Sequence, residues 1–174
     1  MARNIEIKAR LADRAAVEAA AAALADGPAA LICQDDTFFT CAKGRLKLRE
    51  LSPERGELIF YQRPDASGPK ASRYDIAPTD APADLRRVLG QALGAAGRVR
   101  KERTLYLIGR TRVHLDRVEG LGDFVELEVV LAEGEAEAAG LAEAHRLMAS
   151  LGIDETALIA GAYVDLLTAS PTNA

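Results

Sequence analysis

The sequence predicts an α+β fold in which antiparallel strands dominate and helices are inserted and appended. Three observations carry this. About eight segments read as strands, and Asn4 to Arg10 and Arg45 to Leu51 among them alternate polar and apolar residues with a period of two, the pattern of a strand with two unlike faces. Several of them hold charge at every second position. Their apolar alternates need cover, which the intervening and following helices can supply.

Residues 4 to 10, Asn-Ile-Glu-Ile-Lys-Ala-Arg, form the first strand. Asp13 is placed as N-cap of an Ala-rich helix running to about Ala25, which Gly27 and Pro28 stop. Leu31 to Thr40 is extended, and Arg45 to Leu51 alternates again, so that Arg45, Lys47 and Arg49 share one face. Glu57 to Arg63 is an apolar, aromatic strand, and a turn over Pro64 to Pro69 sets Lys70 to Ile76 antiparallel beside it. Pro78 to Pro82 breaks the chain before a helix of about Ala83 to Ala95, whose Leu85, Val88, Leu89 and Leu93 make an apolar stripe. Val99 to Ile108, Thr111 to Asp116 and Asp123 to Leu131 are three further strands, joined at Gly109 and by a hairpin turn over Glu119 to Gly122. Two helices close the chain, about Ala136 to Ser150 and Asp154 to Leu167, split at Gly152. One domain over residues 1–169 with a flexible tail over 170–174 is expected.

Composition narrows the chemistry. Hydrophobic residues at 49% and charged residues at 28% are ordinary for a globular chain. The apolar runs fall short of the roughly 20 residues that a membrane-spanning helix needs, and Met-Ala-Arg-Asn opens no signal peptide, so a cytoplasmic protein is expected. Cys33 and Cys41 lack the spacing of a redox or zinc pair and are expected as reduced, packed thiols. With only His114 and His145 as imidazoles, zinc and acyl-transfer chemistry have little support, and carboxylates and cations must do the work. A net charge of −4 argues against coating a long nucleic acid. The basic residues nevertheless concentrate in the strands, which suits a small anionic ligand held at one site.

The paired charges are Glu6 and Lys8, Lys47 and Arg49, Lys101 and Arg103, Arg112 and Asp116, and Glu126 and Glu128. Their apolar alternates are Ile5 and Ile7, Leu46 and Leu48, Val113 and Leu115, and Val125 and Leu127. If helices cover these from outside, the charges point into a closed barrel, and about eight strands enclose room for one small ligand. In a sandwich the same rows would simply meet water. The residues alone leave both arrangements open.

Two segments, Asn4 to Arg10 and Asp116-Arg-Val-Glu-Gly-Leu-Gly-Asp-Phe-Val-Glu-Leu-Glu128, resemble the CYTH superfamily, also called triphosphate tunnel metalloenzymes. The resemblance runs from Asn4 to about Leu167 and includes Gly161-Ala-Tyr-Val-Asp-Leu-Leu167. It implies an eight-stranded antiparallel β-barrel, a tunnel, with helices packed on the outside. It also implies action on triphosphates with Mg²⁺ or Mn²⁺. Known activities in the family are class IV adenylate cyclase and thiamine, inorganic and RNA triphosphatases. The family's opening Glu-x-Glu-x-Lys falls on Asn4, Glu6 and Lys8, so Asn4 departs, while its closing Glu-x-Glu falls on Glu126 and Glu128.

The residue types fit that implication. A triphosphate carries about four negative charges, and a dry site must supply cations to hold it. Lys8, Lys47, Arg49, Arg63, Lys101, Arg103 and Arg112 can do so, with Asn4, Arg45, Lys70 and His114 as further substrate-binding candidates. A hard divalent ion prefers oxygen ligands, so Glu6, Glu126 and Glu128 are expected to hold it, with Asp116 assisting. On one strand face, Glu126 and Glu128 are expected to repel each other when no metal is present. Tyr61 and Tyr163 are read as core aromatics. The segments Gly120 to Glu128 and Glu102 to Ile108 look most like the cyclase branch, which makes ATP the first expected partner; tripolyphosphate and thiamine triphosphate are the hydrolytic alternatives. A binding module without turnover is the non-enzymatic alternative. The oligomeric state is left open, a homodimer being one option.

Overall fold

In the computed structural model, which describes residues 1–169, alternating strands close on themselves. The tail expected over 170–174 lies outside the described residues. The strands are β1 (Ala2–Arg10), β2 (Ala30–Phe39), β3 (Arg45–Ser52), β4 (Arg55–Gln62), β5 (Lys70–Thr79), β6 (Ala95–Ile108), β7 (Thr111–Val118) and β8 (Gly122–Val130). They form a closed antiparallel barrel in the order β1-β5-β4-β3-β2-β6-β7-β8, with β8 returning to β1. The β1–β8 register sets Glu6 opposite Glu128 and Lys8 opposite Glu126. Closure decides between the two arrangements left open by the sequence. Ile5, Ile7, Leu48, Val113, Leu115, Val125 and Leu127 are wholly buried on the outer wall, and their charged neighbours turn inward.

The helices are α1 (Arg14–Leu24), α2 (Pro82–Leu93), α3 (Glu137–Leu151) and α4 (Tyr163–Ala169). Asp13 caps α1 as expected, its carboxylate accepting from the Ala16 backbone N–H at 3.0 Å. Val17 and Ala21 of α1 and Leu147, Met148 and Leu151 of α3 join Ile7, Leu115, Val125 and Leu127 in the largest apolar cluster. At Gly140, α3 sits so close to the wall that a Cβ would meet Ile5 Cγ1 at 2.6 Å and Leu131 Cδ2 at 2.7 Å. Gly140→Ala gains about 1 kcal/mol of helix propensity but overpacks the interface at a cost of about 1–3 kcal/mol. We expect a Tm lower by roughly 2–4 °C with turnover retained; an unchanged Tm in thermal unfolding would show that the contact relaxes freely.

Four expectations change. The α2 stripe is only half covered: Leu85 and Leu89 are half-buried but Val88 is 50% and Leu93 42% exposed, and the helix lies over a polar part of the wall, where Arg86 pairs with Glu50 at 2.8 Å. β5 continues past Ile76 through Pro78 to Thr79; here only β4 pairs with it, so the missing Pro78 N–H breaks no second ladder. The helix expected over Asp154 to Leu167 is a 3₁₀ turn (Glu155–Ala157), an extended stretch, and then α4. The extended stretch pairs with β1, Ile159 N–H donating to Lys8 C=O at 2.9 Å, and so delivers Ala162, Tyr163 and Val164 to a cluster with Phe38, Val99, Val118 and Phe124 at one end of the barrel. Gly97 makes room there: a Cβ would stand 2.4 Å from Val164 Cγ2. Finally, Cys33 and Cys41 are exposed free thiols, not packed ones. Among the described residues no helix is long and apolar enough to cross a membrane.

Candidate functional site in the barrel lumen

The period of two that buries Ile5 and Ile7 outside turns Asn4, Glu6 and Lys8 inward, and all three are buried. The same alternation aims Lys47 and Arg49 from β3, Lys101 and Arg103 from β6, Arg112 and His114 from β7, and Glu126 and Glu128 from β8 into one cavity of about 590 Å³. Arg63 joins them from the loop after β4. Eight basic side chains line the cavity against five acidic ones. The balance suits a polyanion. The lining also includes apolar side chains, Ile32, Leu51 and Leu105 with Leu31 and Ile76, the last two 69% and 48% exposed, beside the charged Arg55 and Glu57.

Within the lumen each carboxylate holds cations in place. Glu126 pairs with Lys8 at 2.8 Å and with Arg103 at 2.5 Å. Glu128 pairs with Arg112 at 2.8 Å, and Glu6 pairs with Arg63. Asp116, wholly buried, accepts from Arg103 Nε and Nη2, both at 2.6 Å, from Lys101 at 3.1 Å and from the Tyr163 hydroxyl at 3.0 Å. Both its oxygens are thus engaged, and it does not border the cavity. Arg45 and Lys70 also stay out of the lining. Arg45 pairs with Asp65 at 3.0 Å and Asp165 at 2.8 Å, whereas Lys70 donates to the Ala66 carbonyl at 2.5 Å. Both serve the segments around the barrel's rim.

Burial and neighbouring charge set the protonation states. Burial alone would raise the carboxyls of Asp116 and Glu126. The cations overcome it, Arg103 and Lys101 holding Asp116 down and Lys8, Lys101 and Arg103 holding Glu126 well below the usual range. The repulsion expected between Glu126 and Glu128 is therefore outweighed by their own partners. Burial, then Arg49, pushes Lys47 down to about 8, with Asp36 opposing the shift. Burial, then the charge of Arg103, lowers His114, so its imidazole is neutral at pH 7. Its Nδ1 is buried with no hydrogen-bond partner, 3.7 Å from Glu126 Oε2 and 3.9 Å from Glu128 Oε1.

Two lumen residues escape the sequence reading. Asp36, 2% exposed, accepts from Lys47 at 2.7 Å and from Arg49 at 2.9 and 3.0 Å. β2 lacks the alternating charge that marks β1, β3, β6, β7 and β8, so the parity of Asp36 with Gln34 and Phe38 was the only available signal. Tyr163 is the second. Its ring lies under Lys8 Nζ at 4.0 Å and Lys101 Nζ at 4.9 Å, so it is a floor for the lumen cations as well as a core aromatic.

The fold recurs in other proteins. The "Structure of PH1012 protein" from Pyrococcus horikoshii OT3 superposes with a TM-score of 0.80 at 20% identity, covering 94% of this chain and 98% of that one. HpAC1 from Hippeastrum, described as an adenylyl cyclase candidate with a dominant triphosphatase activity, superposes with a TM-score of 0.60 at 18% identity, covering 95% and 94%. At these identities the likeness is one of fold. In sequence, the adenylate cyclase CyaB of Aeromonas hydrophila is 30% identical over 137 residues, 73% of this chain and 69% of that protein. The CYTH domain matches residues 2–163, nearly the whole chain, and the chain belongs to that family.

Proposed function

We propose that the chain binds a triphosphate in the lumen together with a divalent ion, Mg²⁺ or Mn²⁺, and acts as an adenylate cyclase, converting ATP to cyclic AMP and pyrophosphate. The observation that carries this reading is the excess of cations lining a cavity that also presents the Glu126 and Glu128 carboxylates. A triphosphate of about four negative charges would overbalance those cations without a metal. The donor set fits such an ion: oxygens of Glu126 and Glu128 and a nitrogen of His114 lie within 4.8 Å of one another. Glu6, facing Glu128 across the β1–β8 pair, would complete the carboxylate side. Asp116, saturated by its own partners, is assigned to holding Arg103 and Lys101 in place.

Lys8, Lys47, Arg49, Arg63, Lys101, Arg103 and Arg112 would take phosphate oxygens, the arginines by two-pronged contact. The ion, when bound, supplies charge that neutralises phosphate oxygens as bonds change. In cyclisation the ribose 3′-hydroxyl attacks the α-phosphorus and gives up its proton to solvent, the bond to the bridging oxygen breaks, and pyrophosphate leaves with that oxygen. The lumen arginines and lysines would stabilise the charge gathering on it. The exposed apolar side chains in the lining, Leu31 and Ile76, support a substrate with an organic end over bare tripolyphosphate, and the Aeromonas relative's name supports cyclisation.

Phosphorus NMR of products from ATP and from tripolyphosphate tests this. Cyclic AMP and pyrophosphate are expected from ATP with Mg²⁺ or Mn²⁺, and none after chelation. Orthophosphate as the main product would reassign the chain to hydrolysis, the activity named for the Hippeastrum neighbour. No product from either substrate would leave a binding module, and full turnover in metal-free buffer would remove the metal from the mechanism.

A further inference from the structure

We propose that His114 is a ligand of the lumen ion, making a mixed nitrogen and oxygen site that prefers Mn²⁺ over Mg²⁺. The inference rests on the reading of the lumen as a metal site and adds what the carboxylate pattern alone does not contain. A buried imidazole normally settles both ring nitrogens in hydrogen bonds. His114 Nδ1 does not: it is buried with no partner, and the two carboxylates beside it, at 3.7 and 3.9 Å, are beyond hydrogen-bond reach.

Those acceptors are Glu126 and Glu128, so the orphan nitrogen faces the place where the carboxylates converge. Two ligands each about 2.1 Å from one ion stand at most about 4.2 Å apart. The ligand atoms here fall within 4.8 Å of one another, so small rotamer changes bring all three to a common ion. The backbone supports this, because His114 is the register partner of Glu126 on β8 while Arg112 is that of Glu128. A nitrogen donor changes selectivity. Mg²⁺ strongly prefers oxygen, whereas first-row transition ions accept imidazole more readily.

The chain's two histidines make the test direct. His145 stands on the outer helix α3 with its side chain 52% exposed. Wild-type protein loaded with Mn²⁺ alone should show nitrogen modulation in pulsed electron paramagnetic resonance. Labelling the histidines with nitrogen-15 should convert that modulation to the heavier isotope's frequency, an assay that needs no variant to fold. His114→Gln should abolish it and lose roughly tenfold or more in Mn²⁺ affinity with a much smaller loss for Mg²⁺, whereas His145→Gln should change neither. Mn²⁺ bound without nitrogen modulation would overturn the ligand assignment while leaving the carboxylate site standing. Equal losses for Mn²⁺ and Mg²⁺ in His114→Gln would reduce the residue to a structural role. Failure of wild-type protein to bind Mn²⁺ would overturn this inference and the metal-dependent function together.

Discussion

Glu128→Gln is expected to lower turnover by roughly 100-fold or more while changing stability by no more than about 1 kcal/mol. The asymmetry follows from position. Glu128 faces the cavity with its side chain 19% exposed, and its cation Arg112 is 34% exposed and keeps a second partner in the Tyr74 hydroxyl at 3.2 Å. Losing the charge therefore strands no buried cation, yet removes a donor from the proposed metal site. Glu126→Gln should lose as much activity and also stability, on the order of 3 kcal/mol, because neutralising one member of a buried ion pair leaves the others uncompensated. Here Lys8 and Arg103 would be left so, both almost wholly buried. Initial rates beside thermal unfolding separate the two effects. Wild-type rates in Glu128→Gln would end the assignment of the lumen carboxylates.

Asp36→Asn is expected to lower the Tm by roughly 6–12 °C, the equivalent of about 3 kcal/mol, and to shift the pH dependence of kcat/KM. Lys47 is charged below about 8 and neutral above it, so in the wild type triphosphate capture should fall as pH rises through that value. Asp36 is the anion that raises Lys47 against burial and the charge of Arg49. Removing it lowers the Lys47 pKa further, so the break should move to more acidic pH. Lys47→Arg should abolish the break, since guanidinium keeps its proton throughout the range. A variant that loses stability but keeps the wild-type profile would show Asp36 to be a structural counterion only.

Much of the site was legible because strand alternation is short-range. Glu6 and Lys8, Lys101 and Arg103, and Glu126 and Glu128 each needed only two residues to declare a face, and the Gly-Leu-Gly-Asp-Phe-x-Glu-x-Glu segment tied the faces to a known tunnel. Arg45 shared that parity with Lys47 and Arg49 but stands at the strand's end, where Asp65 and Asp165 take its charge. Lys70 likewise begins β5 and is captured by backbone carbonyls. Parity says which face a side chain occupies; it does not say how far along the barrel axis it sits.

By itself the sequence determined the number and order of the elements, which residues share a face of most strands, and the family. All of these depend on neighbours a few residues apart or on motifs read in line. Only the tertiary structure decided that β8 closes on β1, that Asp116 is consumed by Lys101, Arg103 and Tyr163, and that Asp36 holds the β3 cations. It also decided that the last helix begins at Tyr163, because pairing of Ile159 with β1 and burial of Tyr163 in the barrel's end outweigh the helical propensity of the segment. Ion pairs and plugs of this kind join residues as distant in sequence as Lys8 and Glu126 or Lys8 and Ile159. Their partners are chosen by the barrel's closure and stagger, which no local pattern records.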